Sequence, residues 1–105
     1  MRLNDLEQDT IKRCVIAILE GPFIDDWEFS TRIGIERQEL KRFLVKLSNF
    51  NQESDRDIQV AINNCLNEII NGISISSDEW SKWFVTPREQ VADIYSKWAR
   101  INSKQ

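Results

Sequence analysis

The chain has 105 residues, 41% hydrophobic and 30% charged, the composition of one ordinary globular domain. A formal charge of −3 and a pI near 5.0 argue against a general nucleic-acid or anionic-membrane binder, because both need a net basic face. There is no histidine, the commonest metal ligand and general base, and two cysteines are too few for a disulfide scaffold.

The longest apolar run, CVIAIL, is far short of a membrane span, and Met1–Leu6 carries no signal peptide. A cytoplasmic protein in a reducing compartment is expected, with no cofactor, no metal and no catalytic set.

In chain order, Asn4 and Glu7 read as a capping pair that opens a first helix, with Leu6, Ile11, Val15, Ile18 and Leu19 at helical spacing. Gly21-Pro22 ends it, the glycine as a left-handed cap and the proline as a stop. Asp25 or Asp26 caps a short helix over Trp27–Ile33, which Gly34 stops. A third helix runs over about Glu36–Ser48 with Leu40, Phe43, Leu44 and Leu47 on one face. Asn49–Ser54 is polar and reads as a linker.

The plan then recurs. Ser54 and Asp57 start a helix whose stripe is Ile58, Ala61, Ile62, Cys65, Leu66, Ile69 and Ile70, stopped by Gly72. Ser77 or Asp78 caps a short helix over Glu79–Phe84. Thr86-Pro87-Arg88-Glu89 is the strongest start signal in the chain, with threonine as cap, proline at the first helical position and Glu89 closing the box. Val91, Ile94, Tyr95, Trp98 and Ile101 face inward, and Asn102–Gln105 frays.

The recurrence has a fixed offset of 51 residues. Without a gap it pairs Cys14 with Cys65, Ile18 with Ile69, Gly21 with Gly72, Ile24 with Ile75 and Arg37 with Arg88. Eleven of the 54 pairs are identical, against roughly three expected from background composition. The predicted fold is therefore all-α, with no sheet. It is a single helical domain, residues 1–105, built from two similar three-helix repeats of about 51 residues, near 4–51 and 55–102.

The register also sorts side chains. Positions apolar in both copies are core, which places Cys14, Cys65, Trp80 and Trp98 inside. Trp27 falls opposite Asp78 and Trp83 opposite Arg32, so these two tryptophans sit where the other copy has charge. They read either as loop-closing side chains or as anchors for a partner. Asp25, Asp26 and Glu28 in one copy and Asp78 and Glu79 in the other cluster at the equivalent turns. Helix capping explains them in one reading; in the other they form, with Trp27 and Trp83, one composite surface, aromatic in the middle and acidic around it.

One segment points to nucleic acid. FSTRIGIERQELKRFL has the helix–glycine–helix pattern of a helix-turn-helix, with Glu36–Lys46 as recognition helix carrying Arg37, Lys41, Arg42 and Lys46. The overall acidity, and Glu36 and Glu39 at the tip that would meet phosphate, disfavour this partner.

GPFIDDWEFSTRIGIERQEL (21–40), IQVAINNCLNEIING (58–72) and DEWSKWF (78–84) carry in turn a Trp-Glu-Phe near a turn, an Ala-Ile-Asn-Asn helix and a Glu-Trp near a second turn. In these the chain resembles small helical bacterial immunity proteins of contact-dependent growth inhibition and related polymorphic toxin systems. The resemblance implies a monomer or weak oligomer that binds a cognate toxin domain, often a nuclease, and blocks its active site, with no membrane association and no enzymatic residues. The remaining alternatives are the DNA-binding regulator and a helical interaction module of other purpose.

Overall fold

A computed structural model describes residues 2–46 and 55–102. Among them are α1 (Asp5–Glu20), α2 (Asp26–Ile33), α3 (Arg37–Lys46), α4 (Arg56–Asn67), a π-helical turn (Glu68–Gly72) that continues α4, α5 (Ser77–Trp83) and α6 (Arg88–Asn102), and no strand. The all-helical class is as expected. The linker read at Asn49–Ser54 lies outside the described residues.

The central helices are α1 and α4. They pack on each other, α1 also touches α3, α5 and α6, and α4 also touches α2, α3 and α6. Their apolar stripes explain why. Ile11, Cys14, Val15 and Ile18 on α1, and Ile58, Ala61, Ile62, Cys65 and Leu66 on α4, with Ile69 just beyond, are all buried in one cluster with Phe29, Ile33, Leu40, Val91 and Trp98. Each large side chain so buried contributes about 1.5–3 kcal/mol. The stripe on α1 is narrower than read: Leu6 is 64% exposed and the buried face of the helix begins at Thr10 and Ile11, while Leu3, ahead of the helix, is itself in the core. Phe43, Leu44, Ile94, Tyr95 and Trp80 are half-buried against the core's edge.

Several helix ends differ from the sequence reading. At the start of α1 the capping box is complete: Glu7 N donates to Asn4 Oδ1 and Asn4 N to Glu7 Oε1, both at 2.8 Å. Gly34 is the left-handed cap of α2, at φ 104°, and its N–H bonds Ser30 O. Gly21 is not left-handed; it is extended, at φ −81°. Glycine is needed there for space, since a Cβ would lie 2.6 Å from both Ala17 O and the Phe23 ring.

Asp55, not Ser54, caps α4, accepting from Asp57 N and Ile58 N. Ser54 lies outside the described residues. Ser76, not Ser77 or Asp78, caps α5, accepting from Glu79 N at 3.2 Å and starting the helix two residues early. The helical residues of α6 begin at Arg88, with Pro87 O accepting from Val91 N at 3.1 Å. Thr86 is instead buried and its carbonyl accepts Trp80 Nε1 at 2.9 Å. Asn102, expected to fray, is the buried last residue of α6, tied by its Nδ2 to Trp98 O at 2.9 Å.

The ends of α1 and α4 are held from a distance. Neither has a basic residue in its last turn, where a cation would satisfy the free carbonyls. Arg37, at the start of α3, supplies it for α1: Nη1 donates to Leu19 O and, at 3.3 Å, to Ile18 O, and Nη2 to Ile24 O at 2.8 Å, with the guanidinium 4.3 Å over the Phe29 ring. Arg88, at the start of α6, does the same beyond α4. Its Nη1 donates to Ile69 O and its Nη2 to Ile75 O, both at 3.2 Å, and its guanidinium lies 4.5 Å over Trp80.

Candidate partner-binding surface

The turn between α1 and α2 is fixed from below and open above. Phe23 is half-buried, packed edge-on against Trp83 at 6.0 Å between ring centroids, and Ile24 is buried in the core. These two apolar anchors, with Arg37 on the carbonyls, leave the residues that follow facing outward. Asp25 is exposed, and although it occupies the cap position of α2 its side chain makes no capping bond. Asp26 places its carboxylate 2.8 Å from Arg37 Nε and stays 90% exposed. Trp27 is 78% exposed, an unusual state for the largest apolar side chain. Glu28 is half-buried and 3.9 Å from Arg32.

The other predicted members sit differently. Trp83 is half-buried, its ring spent on Phe23 and on the edge of the core, so the structure offers one exposed tryptophan, not two. The Phe23 contact does bring the end of α5 against the segment leading into Asp25, Asp26 and Trp27. Asp78 is exposed in the first turn of α5, about 7–8 Å along the helix axis from Trp83. Beside it, Glu79 is half-buried and accepts Lys82 Nζ at 3.1 Å. Trp83 thus stands next to the first acidic turn, while Asp78 and Glu79 lie at the far end of its helix.

In the 51-residue offset of the sequence Trp83 falls opposite Arg32. Its counterpart Arg32 reaches across from α2 to Glu68, with Nη2 on Oε2 and Nε on Oε1 at 3.3 Å. Each short helix therefore ends on a side chain that docks it to the other half, an ion pair in one place and an aromatic pair in the other. Sequence reasoning missed both docks, because Phe23 and Trp83 are 60 positions apart and Arg32 and Glu68 are 36 apart.

The nucleic-acid reading meets different geometry on α3. Arg37 is consumed by the carbonyls beneath it, and Lys41 lies 3.7 Å from Glu20. Among the described side chains on and just before α3, Glu36, Glu39 and Arg42 are exposed and Lys41 is partly so, which leaves no basic excess there.

Chemical groups elsewhere are quiet. Cys14 and Cys65 are fully buried, and burial pushes the Cys14 thiol up to about 12 and that of Cys65 higher still, so neither supplies a thiolate at neutral pH. Burial also raises the Tyr95 hydroxyl, partly offset by its bond to Asn63 Oδ1. Among the described residues no group of three or more Cys, Asp or Glu is placed to hold a metal ion, and no helix is long and apolar enough to cross a membrane. No family model, curated protein or solved structure matches the chain.

Proposed function

We propose that this chain is an immunity protein that binds a cognate bacterial toxin domain in the cytoplasm and blocks its active site, without catalysis of its own. The observation that carries the proposal is the turn at Asp25–Trp27. It holds a tryptophan 78% exposed beside two exposed carboxylates, on a backbone fixed from beneath by Arg37 and Phe23. Exposed tryptophans on rigid supports are typical energetic centres of protein interfaces. Acidic surroundings match a partner with a basic cleft, as a nuclease has, and speed the encounter. Arg37 engaged on carbonyls beneath α3, with Glu36 and Glu39 exposed at the start of that helix, supports a protein partner over a DNA duplex.

The scaffold reading that goes with this is two copies of a three-helix unit acting as one domain, monomeric or weakly associating. Its support is the pair of arginines 51 positions apart. Arg37 and Arg88 hold carbonyls at equivalent positions, Ile18 with Ile69 and Ile24 with Ile75, and cover equivalent rings, Phe29 and Trp80. The test of function is growth of cells expressing the product of the gene adjacent to that of this chain, with and without the chain. Rescue together with co-elution of the two proteins is the expected result. A toxin domain that kills equally in both cases, with no complex, contradicts the proposal.

A further inference from the structure

The two arginine clasps differ by one hydrogen bond. Arg37 engages every nitrogen of its guanidinium: Nη1 on Ile18 O and Leu19 O, Nη2 on Ile24 O, and Nε on Asp26 Oδ1 at 2.8 Å. Arg88 engages Nη1 on Ile69 O and Nη2 on Ile75 O. Its Nε has no acceptor among the described residues. That nitrogen is open to solvent, because the one side-chain donor there that is both buried and unpaired is Trp98 Nε1. Asp26 stands two residues after Ile24; the residue two after Ile75 is Ser77.

Ser77 and Arg88 line one open cavity of about 380 Å³, together with Ile75, Trp80, Ser81 and Glu89. Ser77 is exposed, and like Asp26 it is the first residue of its short helix. A serine hydroxyl is neutral and shorter than an aspartate side chain. It supplies neither the charge nor the reach by which Asp26 holds Arg37. A phosphate on that hydroxyl supplies both, with about −1.5 to −2 charges and three acceptor oxygens at pH 7.

We propose that Ser77 is a phosphorylation site and that Arg88 receives its phosphate, closing the turn after α4 as Asp26 closes the turn after α1. A serine kinase makes the transfer from ATP. The bond from Ser77 Oγ to the γ-phosphorus forms, and the bond from that phosphorus to the oxygen it shares with the β-phosphate breaks. ADP leaves, and the hydroxyl proton goes to the kinase's base. A guanidinium pairs strongly with a phosphate because its N–H groups match the phosphate oxygens. Asp78 and Glu89 beside the site oppose the added charge, but both are exposed, where salt screens them. The site shares no residue with the Asp25–Trp27 surface, and its test needs no toxin.

The test compares the unmodified full chain with the chain phosphorylated at Ser77 by encoded incorporation of phosphoserine. The phosphorylated chain is expected to melt several degrees higher. Its phosphate is expected to titrate, by 31P NMR, below the value of about 6 that it has in the unfolded chain, since a neighbouring cation favours the dianion. In the 15N-labelled protein the Arg88 Nε–H signal is expected to move on phosphorylation and to exchange more slowly with water. Arg88→Gln is expected to remove the gain in melting temperature. The proposal is overturned if phosphorylation lowers the melting temperature, if it leaves that temperature and the Arg88 signal unchanged, or if the whole gain survives in Arg88→Gln. Mass spectrometry of the chain isolated from the cells that encode it completes the test. Phosphate on Ser77 is expected, and none there in either growing or starved cells overturns the assignment of the site.

Discussion

The turn that follows α1 and the turn that follows α4 are tied by the same device but show different faces to solvent. In both, an arginine from the next long helix reaches back to carbonyls that the helix and its loop leave free, and lies over an aromatic ring of the short helix. At the first turn the position on top is Trp27 with Asp26 beside it; at the second, 51 residues on, it is Asp78 with Ser77. Asp26 gives Arg37 a further hold at 2.8 Å that serine does not give Arg88. The clasp beneath is equivalent, whereas the outward position is free of packing. The tryptophan is therefore not explained by the scaffold, which is the reason to look for its partner outside the chain.

The comparison is broken or sharpened most strongly in the core. Ile18 and Ile69, 51 positions apart, are both fully buried, so Ile18→Ala and Ile69→Ala should each cost about 2–5 kcal/mol in denaturant unfolding. If only one of them destabilises, the two positions are not doing the same job. Leu44→Ala, at the half-buried edge, should cost less, about 1–2 kcal/mol.

The clasps come next. Arg37→Ala should cost about 3 kcal/mol and Arg88→Ala about 2 kcal/mol, because the first loses the Asp26 bond as well as the carbonyls and the ring. Lysine should rescue neither fully, since it lacks the planar fork that spans two carbonyls. Chemical unfolding of the four variants gives the order directly, and Arg88→Ala as the costlier change would reverse the account of the two turns.

The docks between halves should separate by chemistry. Trp83→Ala should cost about 2 kcal/mol through lost aromatic and core contact, almost independently of salt. Arg32→Ala leaves Glu68, only 13% exposed, without its cation, a cost of about 1–2 kcal/mol after allowance for solvent around Arg32. Measuring both in low and high salt distinguishes them, and an equal salt response would contradict the assignment.

The smallest effect is a pH dependence at the start of α1. The backbone N–H of Asn4, and after it Lys97 at 2.9 Å, hold the Glu7 carboxylate below its ordinary value of 4.5. A depressed folded value means that its stabilisation is present above about pH 4.5 and is lost as pH falls through the lower folded value. The gap in melting temperature between wild type and Glu7→Gln should therefore be constant near neutrality and shrink in acid. A gap that widens in acid would give the shift the wrong sign.

Helical spacing made the core legible, from Ile11 to Ile101, since burying a stripe requires that period. Local end signals also carried information where their chemistry is local, as at Asn4–Glu7 and Gly34. Contacts closed over long stretches of chain were not legible. Arg37 looks in sequence like one more cation on an exposed helix, and its repetition as Arg88 was the available hint that it belongs to the framework. The π turn at Glu68–Gly72 escaped notice because it ends with Ile73 N on Glu68 O in a helix whose apolar spacing alone looks regular. Gly72 is placed there by a neighbour, since a Cβ would meet the Glu68 carboxylate that Arg32 holds. For the candidate surface, the carboxylates and Trp27 were legible as a cluster, but the inward turn of Trp83 depends on Phe23 and was not.

The most direct measurement is a binding titration of the cognate toxin domain that the proposed function requires with Trp27→Ala and Trp83→Ala, each with its melting temperature. Trp27 is exposed, so its truncation should change folding stability by no more than about 0.5 kcal/mol while costing about 2 kcal/mol or more of binding. Trp83→Ala should show the opposite pattern, a lower melting temperature with affinity close to wild type in the fraction that stays folded. A Trp27→Ala variant that folds and binds like wild type would contradict the account.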